Sequence, residues 1–210
     1  MIKRTRILAL VLALAALAAL VTGCSTDPAD RCVKNDGGNV TVPALKLNLS
    51  FDETWFPVTQ EEFEAIAEDR SLLDAYVDDE GNILKEYPAA TSGTELLLLN
   101  LHTLESCSIR VSEDTREYSM DNFAASMFDD MQADMFEISL PESCKVGKNT
   151  AYTIFTVPTA AMTEEELATG EIGPHTPRYR YYFMHENDTF VQIVLIGFHD
   201  TLGGEAIIEA

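Results

Sequence analysis

The chain has 210 residues, of which 35 are acidic and 14 are Lys or Arg, for a formal net charge of −21. A surface that acidic repels phosphate backbones and anionic head groups, which excludes nucleic acid as a partner and leaves no electrostatic route to an anionic membrane. Its length and 46% hydrophobic content suit one domain with a sizeable core.

The first stretch, MIKRTRILALVLALAALAALVTGC, begins with Lys3, Arg4 and Arg6 and then runs uncharged from Ile7 to Val21. Fifteen apolar residues are too few to cross a ~30 Å bilayer core comfortably as a helix. The order of basic start, apolar run and small residues is that of a secretory signal peptide. Its ending, Val21-Thr22-Gly23-Cys24, resembles the bacterial lipobox. That resemblance implies cleavage between Gly23 and Cys24, a diacylglyceryl group on the Cys24 thiol, and a membrane-anchored protein on the extracytoplasmic face. Without residues 1–23, which hold three basic residues and no acidic ones, 187 residues carry a net charge of −24. Attachment would then rest on the lipid, each buried methylene contributing ~0.8 kcal/mol.

Residues 24–39 are rich in Asp, Asn, Gly and Pro and read as the lipidated cysteine and a flexible tether, with a root-mean-square span of roughly 20 Å. A single globular domain is expected over residues 40–210. Leu45, Leu47, Leu49 and Phe51 alternate with polar residues, as in a strand with one buried face. Trp55, the only tryptophan, is expected in the core. Thr59 to Glu62 has the form of a capping box, starting a helix from about Gln60 to Tyr76. Asp78-Asp79-Glu80-Gly81-Asn82 lacks the ligand order of a calcium loop and reads as a solvated turn.

Leu96 to Leu99 is continuous and apolar, which suits a central strand, and Cys107 to Val111 is either its continuation or a second strand. Ser119 starts a helix with Met120, Phe123, Ala124, Met127, Phe128 and Met131 on one side. Ala151 to Val157 is a β-branched and aromatic strand. Ala160 to Pro177 looks like an inserted excursion with a short capped helix at Thr163. Arg178 to Met184 and Phe190 to Gly197 form a hairpin, and a short helix closes the chain, bringing Ile207 and Ile208 to the core.

This order of elements is similar to the PsbP-like α/β/α sandwich, shared by photosystem accessory proteins, a nuclear-import factor that binds the GTPase Ran, and small bacterial lipoproteins of the DcrB type. LNLSFDETW near Leu47–Trp55, SMDNFAASMFDDM at Ser119–Met131, VGKNTAYTIFTV at Val146–Val157 and YRYYFMHENDTFVQIVLIGF at Tyr179–Phe198 carry the resemblance. It implies an α+β fold, a mostly antiparallel central sheet with helices on both faces, and a non-enzymatic accessory role in a protein complex. The partner expected is a cell-envelope protein.

Once Cys24 is lipidated, three thiols remain. A Cys107–Cys144 disulfide would close a loop of ~38 residues and add ~3–4 kcal/mol, and three separate thiols is the alternative. No Cys pair has metal-ligand or redox spacing, and His102, His175, His185 and His199 never approach a zincin pattern, so no metal or cofactor is expected. Gly-x-Ser-x-Gly and phosphate-cradling glycine loops are also absent, and no catalytic residue is nominated. Glu142, Cys144 and His102 could meet in space, though nothing in their spacing favours it. The other functional class left open is a small-ligand or cation binder serving a transporter or sensor, with the Ala160–Pro177 loop as a lid.

Overall fold

A computed structural model describes residues 31–186 and 188–210. The lipobox, with Gly23 and Cys24, lies outside the described residues. The strands in chain order are β1 (Val33–Asp36), β2 (Asn39–Val42), β3 (Leu47–Ser50), β4 (Trp55–Pro57), β5 (Thr91–Gly93), β6 (Glu95–Asn100), β7 (Ser106–Glu113), β8 (Met135–Ile138), β9 (Glu142–Val146), β10 (Asn149–Pro158), β11 (Arg178–Glu186) and β12 (Thr189–Gly197). The helices are α1 (Gln60–Glu68), α2 (Met120–Met131), α3 (Glu164–Thr169) and α4 (Glu205–Ile208).

The large sheet has the order β4-β6-β7-β12-β11-β10-β8, with β9 also paired to β10. Every paired neighbour in it is antiparallel. Its central strands are apolar on both faces, because both faces are covered. From β12, Val191, Ile193 and Leu195 enter one core layer, while Val194 and Ile196 enter the other. The first layer is closed by a second sheet, β3-β2-β1-β5, through Val33, Val40, Val42, Leu47 and Leu49, and by Ile208 of α4. The second is closed by α1, through Phe63 and Ile66, and by the Met/Phe side of α2. The α/β sandwich on a mainly antiparallel sheet is therefore as expected. Helices cover one face, whereas a small sheet with the four-residue α4 covers the other.

Three local features depart from the sequence reading. The stretch expected as tether is already folded: Val33 and Asn35 are buried in β1, which pairs with β2 from Lys34↔Thr41 to Asp36↔Asn39. Gly37 and Gly38 form the two-residue connection, both at positive φ (56° and 83°), the backbone that a tight hairpin demands. The Gly-Gly pair was thus a turn signal inside a polar run. A Cβ on Gly38 would lie 2.4 Å from the Phe51 carbonyl oxygen, whereas one on Gly37 would meet open space. Gly37→Ala should cost about 1 kcal/mol for its left-handed backbone alone. Gly38→Ala should cost clearly more, read as the larger shift in urea midpoint; equal shifts would show that β3 moves freely away from the hairpin.

The helix expected to reach Tyr76 stops at Glu68. Asp69 adopts extended backbone, and its carboxylate accepts from Ser71 N at 3.0 Å, starting a 3-10 turn over Arg70–Ala75. Asp competes for nearby backbone amides in this way and so favours helix starts over interiors. Lastly, β8 and β9 were not foreseen. Each is four or five residues long beside Leu140-Pro141, and only pairing to β10 makes them strands. The open choice at Cys107–Val111 is settled as a second strand, since β7 turns back antiparallel on β6 through Leu104 at φ 60°.

Candidate functional site

The residues singled out in the sequence do not converge. Cys107 on β7 and Cys144 on β9 are separated by β12, β11 and β10, about 19 Å at ordinary strand spacing. A disulfide needs Cα atoms within about 7 Å, so the Cys107–Cys144 bond is excluded and both are thiols. Burial pushes both thiols up, Cys107 well above the usual range and Cys144 to about 11, the latter assisted by Glu209. Neither is a ready nucleophile, because the thiolate is the reactive form. His102 sits in the β6–β7 turn with Nε2 3.2 Å from the Gly81 carbonyl. It therefore lies four strands from Cys144, and the conceivable Glu142, Cys144 and His102 grouping does not form. Trp55 is a core residue, edge-to-face with Phe51 at 5.4 Å. Among the described residues, no group of three or more His, Cys, Asp or Glu could hold a metal ion.

Two open clefts bring polar side chains together instead. The first, about 580 Å³, lies beside the end of β7 and the β11–β12 turn, lined by residues 115–119 with His185 and Asp188. Asp114 sits behind it. Arg116 donates Nε and Nη2 to the two Asp114 carboxylate oxygens at 2.7 Å each, and Tyr118 Oη donates to Oδ2 at 2.8 Å. These donors, Arg116 foremost, overcome desolvation and hold the Asp114 carboxyl at about 2. Burial, and then the hydrogen bond to Asp114, push the Tyr118 phenol well above its usual range. His185 Nε2 lies 2.7 Å from the Asp114 carbonyl, which can only accept, so that nitrogen carries the proton. The imidazole also stacks on Tyr118 at 4.9 Å. Arg31 pairs with Glu113 at 2.6 Å, so the described chain enters the molecule at this same end.

The second cleft, about 560 Å³, has an apolar floor of Phe56, Val58 and Leu97 between α1 and the 85–91 segment. Lys85 Nζ donates to Glu62 Oε1 at 2.9 Å and to Tyr76 Oη at 3.0 Å, and stands 4.2 Å from the Tyr76 ring centroid. The Thr59 backbone N–H and Lys85 hold Glu62 at about 2, while the Tyr76 hydroxyl and Glu62 raise Lys85. General acid–base work needs a group that titrates near the working pH. Glu62, Lys85 and Asp114 are all driven away from neutrality and spend their hydrogen-bonding capacity on each other's neighbours. Both clusters are paired internally, while Lys85, Glu62 and Arg116 stay more than a third exposed.

The Ala160–Pro177 excursion is likewise tied down. Glu166 completes a capping box with Thr163 and also accepts from Gly173 N at 3.0 Å and from Thr176 Oγ1. Arg178 Nη1 then donates to the Thr176 and Phe198 carbonyls at 3.0 Å. A lid would have to break these contacts to open.

The sequence matches no family model and no curated protein. Among solved structures the fold is similar to the solution structure of cyanobacterial PsbP (CyanoP) from Synechocystis sp. PCC 6803, at 10% identity and a TM-score of 0.39, over 86% of this chain and 88% of that one. At that identity and score, nothing about activity or partners transfers.

Proposed function

We propose that this chain is a lipid-anchored protein of the extracytoplasmic membrane face, whose folded part serves as a non-enzymatic accessory or assembly module of a cell-envelope complex. The observation that carries the reading is the run ending in Val21-Thr22-Gly23-Cys24, where charge, apolar length, small residues and cysteine fall in lipobox order. The architecture is compatible with it. Among the described residues, folded structure is present from Val33. No helix among the described residues is long and apolar enough to cross a membrane, which is neutral for a lipid-anchored protein. The accessory role, rather than catalysis, is supported by the two clefts, where Arg116 is already paired with Asp114 and Lys85 with Glu62.

Replacing the acceptor thiol tests the anchor. In a bacterial host, wild-type protein should fractionate with membranes and give a mass lacking residues 1–23 but carrying lipid. Cys24→Ala should be unlipidated and unprocessed at that bond. If the variant showed the same processed, lipid-bearing mass as wild type, the proposal would be wrong. A small-ligand role would instead show as a melting-temperature rise with one ion or metabolite, read on the same purified chain.

A further inference from the structure

The path of the large sheet ends at β8, at the edge away from β4. Strand β8 is hydrogen-bonded to β10 on one side, and among the described residues no strand pairs with its other side. A free edge presents a row of unpaired backbone donors and acceptors that can template another strand. Here the edge also exposes large apolar side chains: Phe136 is 38% and Leu140 70% accessible. Ile138 packs partly buried against the α2 side of the core, and the register shift between Val157 and Pro158 of β10 falls opposite Phe136.

The charge around this edge selects what it can accept. From Glu117 to Cys144 the chain contains seven acidic residues and no Lys, Arg or His. Asp129 and Asp130, on the last turn of α2, are exposed, and so are Glu137 within β8 and Glu142 just beyond it. A second copy of the same chain would bring this acidic edge against itself, with like charges opposed across the new ladder. A basic strand would meet opposite charges and bury Phe136. The edge also pairs with the Thr156–Pro158 end of β10, whereas Arg31 meets Glu113 at the other end of the sheet. The edge therefore stands clear of the point where the chain enters the domain.

We propose that β8 is a docking edge for an extended segment of a partner protein that alternates basic and apolar residues and adds to the large sheet as one more strand. Main-chain hydrogen bonds would supply the pairing, Phe136 and Leu140 the apolar contact, and Asp129, Asp130, Glu137 and Glu142 the charge complement. This rests on the accessory role, to which it gives a surface, and not on the lipid anchor.

The test uses the full chain purified in detergent, in wild-type and Cys24→Ala forms. The probe is a fluorescent eight-residue peptide alternating Lys and Val, with two controls: Glu in place of Lys, and Pro in place of two Val. At 0.15 M salt, the Lys-Val peptide should bind both forms equally and protect the amides of residues 136–140 from hydrogen exchange. The double variant F136K/L140K, altered only at exposed positions, should lose at least tenfold in affinity while its melting temperature stays within a few degrees. The Glu and Pro peptides should fail to bind. No binding by the Lys-Val peptide, or binding that survives the Pro peptide and F136K/L140K alike, would overturn the proposal; the latter pattern would mark unspecific attraction to an acidic surface. Stable dimers of the wild-type chain that F136K/L140K abolishes would also overturn it, by assigning the edge to a second copy.

Discussion

Trp55→Ala should lower the stability of the folded domain by about 3–5 kcal/mol, the cost of a large cavity in a close-packed core. Trp55 is 2% exposed on β4, the short strand at the opposite sheet edge from β8. Its ring supports Phe51 edge-to-face, and it also supports the C-terminal turn. A Cβ placed on Gly204 would lie 3.3 Å from Trp55 Cη2 and 2.6 Å from Leu195 Cδ2, so that backbone comes down directly on both side chains. The turn is held there by Glu105, buried at 4% exposure, whose carboxylate accepts from Gly203 N at 3.0 Å and Gly204 N at 3.2 Å. Removing the indole thus loosens β4, Phe51 and the seat of α4 together. Since domains of this size are stable by roughly 5–15 kcal/mol, the loss is a large share of the total. Urea unfolding followed by far-ultraviolet circular dichroism measures it. A loss below about 1 kcal/mol would mean that the surrounding side chains collapse into the space, contrary to the constraint that Glu105 imposes.

What could be read in the sequence follows the range of the interactions involved. The β11–β12 hairpin was legible almost to its ends, because Tyr179 to Phe198 is long, apolar on both faces and interrupted once, at residues 187–188. Helices α2 and α3 announced themselves through Ser119 and Thr163, whose side chains accept from backbone amides three residues on. The strand β1 was hidden because its second buried side chain is Asn35, an amide whose partner, the Tyr87 hydroxyl, lies 52 residues away. Strand β8 was hidden because Met135–Ile138 has no periodicity long enough to detect and exists by pairing with β10. The two polar clusters failed to appear for the same reason. Lys85 finds Glu62 across 23 residues, and His185 finds the Asp114 carbonyl across 71. No local spacing encodes such meetings, so the sequence could exclude familiar catalytic motifs but could not place the pairs that stand in the clefts.

Asp114→Asn should destabilise the domain by up to about 2 kcal/mol at neutral pH, with a deficit that shrinks in acid. The native carboxyl is held at about 2, against an ordinary value of 3.8, chiefly by Arg116. A carboxylate whose pKa is lower in the folded than in the unfolded chain contributes stability above the unfolded value and loses it as pH falls towards the folded one. At 1.36 kcal/mol per pKa unit, that difference corresponds to about 2 kcal/mol. The Asp114 side chain is 8% exposed but Arg116 is 75% exposed, so solvent screens part of the interaction and this figure is an upper one. Wild type should therefore lose this contribution between pH 4 and pH 2, while the Asn variant, uncharged throughout, should show a flatter curve there. The two stability profiles should run parallel above pH 5 and converge near pH 2. Glu62 and Glu166 are also depressed to about 2 and steepen the acid response of both proteins alike, so the difference between the profiles isolates Asp114. A constant gap down to pH 2 would locate the effect of the substitution in lost shape rather than lost charge. Such a result would place the bidentate Arg116 contact among exposed ion pairs of little worth, in keeping with a guanidinium that is itself 75% accessible.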